Sequence, residues 1–311
     1  MEKGIVSIIA NRKTKSIVEK VASIIFTCCA VVSIIAVVSI TGYMFISGTP
    51  AIFKVGLKEI LFSSVWAPTA SDPQFGILNI ILTSIVGVFL AICIGVPIGI
   101  LTAVNLAEIA SPKVRSVLKS AIELLAGIPS VVYGLIGILI INPLMYKVEL
   151  AVFKGSTTHQ FTGGSNLLSA ILVLAIMILP TLINITETSL KAIPDDYRKS
   201  SLALGASQMQ TIFKVVLPAA KNGIMSAIVL GVGRAIGEAM AILLVAGNSV
   251  NFPLPFNSVR FLTTGIVSEM GYASGLHREV LFTIGLILFI FILIINLLLT
   301  LILKRGGEDG K

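Results

Sequence analysis

Long apolar runs separated by short polar stretches set the pattern of this chain. They cover about 21–46, 77–107, 117–141, 166–190, 222–247 and 278–303. Each is near or above the roughly 20 residues that a helix needs to cross hydrocarbon. None carries the alternation of a strand, and no internal repeat is evident. In a bilayer, open sheets leave backbone groups without partners, so the runs read as helices. The predicted class is all-α: a polytopic membrane protein with about six transmembrane helices. The first run, Val21 to Ile46, is too long for the apolar region of a cleavable leader and has no clear small-x-small site, so it reads as a span.

One apolar-polar stretch has a different period. "LALGASQMQTIFKVVLP" runs from Leu202 to Pro218. On a helical wheel Leu202, Gly205, Ala206, Met209, Ile212, Phe213 and Val216 share one face, and Ser207, Gln210, Thr211 and Lys214 lie opposite. At about 15 residues it is too short to span. Pro194 and Asp195 suit its start, Pro218 its end, and Gly205 a flexible or close-packing point. Three readings are open: an interfacial helix, a packing helix of the bundle, or a helix whose face fits a groove on a partner.

Composition supports the membrane reading. The chain of 311 residues is 56% hydrophobic and 12% charged, with mean hydropathy +1.01, against about 25% charged in soluble domains. Its net charge of +8 would suit nucleic acid in a soluble protein, but no basic stretch is interleaved with base-stacking aromatics. The predicted spans place 16 of the 23 Lys and Arg on one side and six on the other, with Arg234 inside a span. The positive-inside rule puts the larger set, both termini and segment 191–221 in the cytoplasm. The expected organisation is a cytoplasmic segment 1–20, a first span with its outer loop over 21–76, a core of five spans over 77–303 and a cytoplasmic tail 304–311. Cys28, Cys29 and Cys93 lack metal-ligand spacing and read as small hydrophobes. His159 and His277 fall in outer loops and read as solvated.

Charge inside the membrane is the candidate chemistry. Arg234 and Glu238 lie near the middle of the fifth run, where a central charge costs about 2.5–3.5 kcal/mol. Their i,i+4 spacing predicts an ion pair on one helix face, either a packing device or a polar constriction on a substrate path. An arginine fork offers two donors to an oxyanion and stays charged at any working pH. Gly223, Ala227, Gly231, Ala235 and Ala239 form a four-residue row suited to close helix contact, within the subunit or with a second one. Glu123 and Glu187 fall near span ends and read as interfacial. Gly127-Ile128-Pro129 predicts a kink in the third span, or an unwound segment lining the path.

The chain has no Gly-x4-Gly-Lys-Ser/Thr phosphate loop and no Ser/His/Asp or Cys/His arrangement. It reads as a transporter subunit rather than an enzyme, with no cofactor expected in this chain. An ion-coupled secondary transporter, which usually shows repeat-related broken helices, is the rival class.

The amphipathic stretch resembles the Glu-Ala-Ala-x-x-x-Gly-x9-Ile-x-Leu-Pro signature of ABC importer permeases. Gly205 to Pro218 keeps the spacing, with Val215 for Ile, but Lys199-Ser200-Ser201 stands where Glu-Ala-Ala is usual. "FGILNIILTS" (Phe75–Ser84), "IELLAGIPSVVYGL" (Ile122–Leu135), "ILPTLINITETSL" (Ile178–Leu190) and "GRAIGEAMAILLVAGN" (Gly233–Asn248) narrow the resemblance to phosphate-specific permeases of the PstC type. The resemblance implies the type I ABC importer permease (MetI-like) architecture in a bacterial or archaeal inner membrane. It implies a coupling helix over 199–217 that docks an ATPase through Leu202, Gly205, Ala206, Met209 and Phe213. Arg234 and Glu238 would line the substrate path, with a helix break at Gly127 and Pro129. The implied partners are a second permease (PstA-type), an ATPase dimer (PstB-type), an extracytoplasmic phosphate-binding protein (PstS-type) and membrane lipid. Molybdate or tungstate is an alternative cargo.

Overall fold

The computed structural model describes the backbone of residues 2–308 and the side chains of 19–298 and 301. The side chains of most of the 1–20 segment and of the 304–311 tail lie outside the described residues. The chain runs α1 (Glu2–Val55), α2 (Leu57–Phe62), a short antiparallel pair β1 (Trp66–Ala67) and β2 (Gln74–Phe75), then α3 (Leu78–Val104), which continues as a π-helical turn, Asn105–Ile109. Next come α4 (Pro112–Gly127), α5 (Ser130–Ile136), a π-helical turn Gly137–Ile141, α6 (Asn142–Val152) and α7 (Leu167–Lys191). Then α8 (Asp195–Ala203), α9 (Gln208–Thr211), a π-helical turn Ile212–Val216 and α10 (Leu217–Ala219) lead into α11 (Lys221–Gly237). The chain closes with α12 (Met240–Val245), α13 (Leu262–Glu269) and α14 (Gly275–Glu308). Among the described residues five helical stretches are long and apolar enough to cross a membrane, or six if α9–α10 and α11, bent by 68°, count as one span.

The centre of the bundle is α7, whose start is capped by the Asn166 carboxamide accepting from the Ser169 N–H at 3.1 Å. Helices approach it through small residues. On α3, a Cβ on Gly95 would stand 2.8 Å from Ile178 Cδ1, and one on Gly99 2.9 Å from Leu182 Cβ. From the other flank the predicted α11 row packs onto the same helix. A Cβ on Gly223 would meet Ser189 Oγ at 2.1 Å, and one on Gly231 would meet Leu182 Cδ2 at 3.2 Å. The row therefore packs within the subunit, where dispersion and close approach replace the absent hydrophobic drive between helices.

The long apolar stretch of α1 is largely uncovered by the rest of the chain. Phe26, Val32, Ile34, Val38 and Ile46 are all exposed. Contact with α14 begins near Tyr43, edge-on to Phe282 at 5.4 Å, and tightens at Gly48, whose carbonyl accepts from Thr283 Oγ1 at 2.7 Å. Such an apolar surface fits a helix that meets hydrocarbon or a partner chain and not water.

The structure corrects two expected spans. The third does not run over 117–141: the helix ends at Gly127, Ile128 is extended (φ −71°, ψ 127°), and the spanning unit is Ser130–Val152. Pro129 is the cause, since proline drives its predecessor out of the helical region and removes a backbone donor. The apolar residues before it belong to the separate amphipathic helix α4. The fifth run, 222–247, is broken between α11 and α12.

The new third span carries charge at its far end. Glu149 is fully buried, and its carboxylate faces His159 Nε2 at 2.9 Å while accepting from the Thr162 N–H at 3.0 Å. His159 stacks on Phe153 at 3.6 Å. His277 is likewise buried, 2.8 Å from Glu269, which also accepts from Trp66 Nε1 at 3.1 Å and pairs with Arg260. Both histidines are thus pinned on buried carboxylates rather than solvated. Leaving one buried polar group unsatisfied costs about 1–3 kcal/mol. Glu149→Ala is expected to lower the thermal midpoint of the detergent-solubilised protein by several degrees, read by fluorescence of Trp66, with a smaller fall for Glu149→Gln. An unchanged midpoint would contradict this role.

Candidate functional site

Two regions hold the predicted site residues. The first is the segment 195–219. Pro194 precedes α8, and Asp195 and Asp196 in its first turn suit the helix dipole. The helix does not continue through Gly205. The Ala206 N–H reaches back to the Ser201 carbonyl at 3.2 Å and the Gly205 N–H to Leu202 at 3.0 Å, with Gly205 at φ +85°. This is a Schellman closure, which places a glycine in the left-handed region. Ser207 then caps α9 in a reciprocal box with Gln210.

The expected single helix over 199–217, with one apolar face, is therefore two helices, because the turn at Gly205 resets the helical phase. Ile212 and Val216 are buried against Val104, Leu106 and Leu190. Leu202, Met209 and Phe213 remain exposed, and Leu204 at the joint is 89% exposed. Gly205 serves backbone conformation rather than packing, since a Cβ there would meet nothing within 4 Å. Ala206 is half-buried and lines, with Tyr197 and Leu204, an open groove of about 510 Å³.

Sequence reading missed the strongest polar contact here. Arg198 grips Glu108 through two bonds, Nη2 to Oε1 at 2.6 Å and Nε to Oε2 at 3.1 Å. It also donates to the Ile193 carbonyl at 2.8 Å and the Leu190 carbonyl at 3.0 Å, beyond and within the last turn of α7. The hydrogen bond to Glu108 raises the guanidinium above its ordinary pKa, so the contact keeps its cation at every working pH. The 90-residue separation of the pair left no local spacing by which to find it.

The second region surrounds Arg234. The predicted ion pair with Glu238 is absent because α11 ends at Gly237 and Glu238 is extended (φ −73°, ψ 133°), which takes it off the helix face. Glu238 Oε1 instead accepts from the Ala241 N–H at 2.9 Å, satisfying a donor at the start of α12. Its carbonyl accepts from Thr263 Oγ1 at 2.6 Å. Arg234 donates to Thr181 Oγ1 at 3.3 Å and forms no ion pair among the described residues.

The break at 127–129 lies near this site. Tyr133 bridges it, donating to the Leu125 carbonyl at 2.7 Å, and lies within electrostatic reach of Arg234. Two glycines let α12 settle on the helix that begins at the break. A Cβ on Gly134 would stand 2.7 Å from Leu244 Cδ1, and one on Gly137 2.5 Å from Val245 Cγ1. Two broken helices and a half-buried guanidinium without a carboxylate thus share one neighbourhood. Elsewhere, Glu187 is buried and pairs with Lys191 and, at 3.8 Å, with Lys119, while Glu123 is exposed. Among the described residues no group of three or more His, Cys, Asp or Glu is placed to hold a metal ion.

Residues 95–306 match the family described as "Binding-protein-dependent transport system inner membrane component". The chain is 39% identical to the probable ABC transporter permease protein YqgH of Bacillus subtilis, over 94% of each chain. It is 34% identical to the phosphate transport system permease protein PstC of Pasteurella multocida, over 81% of this chain and 82% of that one. Among solved structures, a bacterial alginate ABC transporter matches 92% of this chain and 94% of its own at a TM-score of 0.61 and 16% identity. The MetNI methionine ABC transporter matches 74% and 94% at 0.51 and 21%. The chain belongs to the family of binding-protein-dependent transport system inner membrane components and is an ABC importer permease subunit with the MetI-like fold.

Proposed function

We propose that this chain is the PstC-type permease of an ATP-driven phosphate importer. The observation that carries the cargo is the 34% identity to a phosphate permease over most of both chains. The site supports it. Arg234 is half-buried and its guanidinium faces a hydroxyl rather than a carboxylate, so a tetrahedral oxyanion can be its counterion. Glu238 holds the helix break open beside it. A path residue must bind weakly enough to release its cargo, and one arginine at a helix break meets that demand.

Segment 191–221 faces the cytoplasm in this reading, as do both termini, in agreement with the positive-inside asymmetry. Leu202, Leu204, Met209 and Phe213 then form the apolar surface that an ATPase subunit grips. A PstA-type permease completes the pore, a PstB-type dimer supplies ATP hydrolysis, and a PstS-type protein delivers phosphate. ATP binding closes the dimer, moves the docked helices and turns the cavity outward.

Arg234→Gln in the complete transporter is expected to abolish phosphate uptake while membrane insertion and co-purification with the ATPase persist. Uptake at the wild-type rate would sink the path role, and competition by tungstate or molybdate as strong as by phosphate would change the cargo. Lys199→Glu is expected to leave uptake within about twofold of wild type, as for an exposed surface substitution. A large loss would mean that the ATPase surface is matched to the lysine.

A further inference from the structure

We propose that the Arg198–Glu108 fork is the strut through which α8 moves α3, which makes both of them positioning residues for transport. The inference rests on the reading of α8 and α9 as the docking element. It starts from an asymmetry between the two helices. The part that follows α9 is anchored by apolar packing, with Ile212 and Val216 in a cluster that includes Ala103, Val104 and Leu106 of the second span. In α8, by contrast, no residue is buried. Below it lies a cavity of about 300 Å³ lined by Glu108, Arg198, Leu202, Gln208, Thr211 and Ile212. A helix with no packed face transmits little force by contact. Its side-chain ties are one hydroxyl contact to α9, Ser201 to Thr211 at 2.9 Å, and those of Arg198, which adds to the fork its two bonds to the Leu190 and Ile193 carbonyls.

The fork ends on a mechanically distinct piece of α3. Glu108 sits in the π-helical turn Asn105–Ile109, which closes with the Ala110 N–H on the Asn105 carbonyl at 2.7 Å. Such turns inside helices are common at functional sites. Two further elements converge on this turn, and the fork's arginine ties it to a third. Gln208 Nε2 donates to the Glu108 carbonyl at 3.3 Å, Arg115 of α4 donates to the Ala107 carbonyl at 3.1 Å, and Arg198 itself binds the end of α7. The side chains of the pair are largely withdrawn from solvent, at 20% and 10% exposure. A bidentate arginine–carboxylate contact resists both shear and rotation, since two parallel bonds fix the relative orientation of the groups. Displacement of α8 therefore reaches the end of the span whose glycines pack on α7.

The test uses the complete importer, with its companion permease, ATPase and binding protein, in proteoliposomes. Phosphate uptake and ATP hydrolysis are measured together for Glu108→Gln, Arg198→Gln and the exchanged pair Glu108→Arg with Arg198→Glu. The single variants are expected to keep co-purification with the ATPase and most of the hydrolysis, while phosphate moved per ATP falls about tenfold, the scale of a coupling energy between sites. The exchanged pair is expected to recover much of that ratio. An unchanged ratio overturns the strut, whether uptake and hydrolysis fall together or both stay intact. ATPase binding that is lost in the single variants and restored by the exchange also overturns it, by making the fork a docking contact only. If the arginine variants fail to assemble, the near-isosteric Glu108→Gln decides alone by the same ratio. Failure of the wild-type chain to co-purify with the ATPase would refute the docking reading itself, a separate result.

Discussion

Leu182 has glycine on two sides, and the bundle is arranged around that fact. Its side chain lies between Gly99 of α3 and Gly231 of α11, at distances that leave no room for a methyl group without displacement. Water drives apolar helices together in a soluble protein, but lipid tails offer them an equivalent solvent. What distinguishes a helix neighbour from a lipid here is fit. The small residues of α3 and α11 make α7 a better neighbour than an acyl chain, and among the described residues α7 is the most buried of the five unbroken spans. The positions of Arg234, Thr181 and the end of α3 all follow from that contact.

Within this tight frame the helices break at two places. At 128–129 proline makes the break, and the Tyr133 hydroxyl joins the Ile128 N–H as a second donor to the Leu125 carbonyl at the helix end. At 238–239 a glutamate makes it, capping the next helix with its own carboxylate. Free backbone groups at membrane depth are tolerated only where protein or a water-filled cavity covers them. Glu238 consequently supports the backbone rather than balancing Arg234. That arrangement leaves the guanidinium to the cargo in the proposed function.

Much of this is legible in the amino-acid sequence. Apolar run length finds four of the spans, because crossing hydrocarbon imposes a minimum length whatever the tertiary contacts. The third span is hard to read because its C-terminal end carries Lys147 and Glu149, and the cost of Glu149 is met by His159 and Thr162, ten and thirteen residues away. A hydropathy window sees the charge but not its acceptors and donors. The segment 202–218 stands out by its glycine-to-proline spacing, yet its faces cannot be read from the sequence: a helical wheel assumes constant phase, and Gly205 interrupts it. The Arg234–Glu238 pair failed for a related reason, as i,i+4 spacing means proximity only if the helix continues. The Arg198–Glu108 contact was beyond local reasoning, because only packing of distant elements creates it.

The uncovered stretch of α1 bears on how such a protein is made. From Val21 to about Ile40 this helix needs lipid and little else from its own chain. Its backbone bonds are internal, and its side chains are at ease in hydrocarbon as soon as they enter it. It is complete as a membrane element before any later segment has been synthesised. The other spans are not: α3 and α11 present rows of glycine that are well packed only once α7 lies between them. Biogenesis thus divides into a first helix that is at ease in lipid by itself and a core that waits for its central helix to arrive.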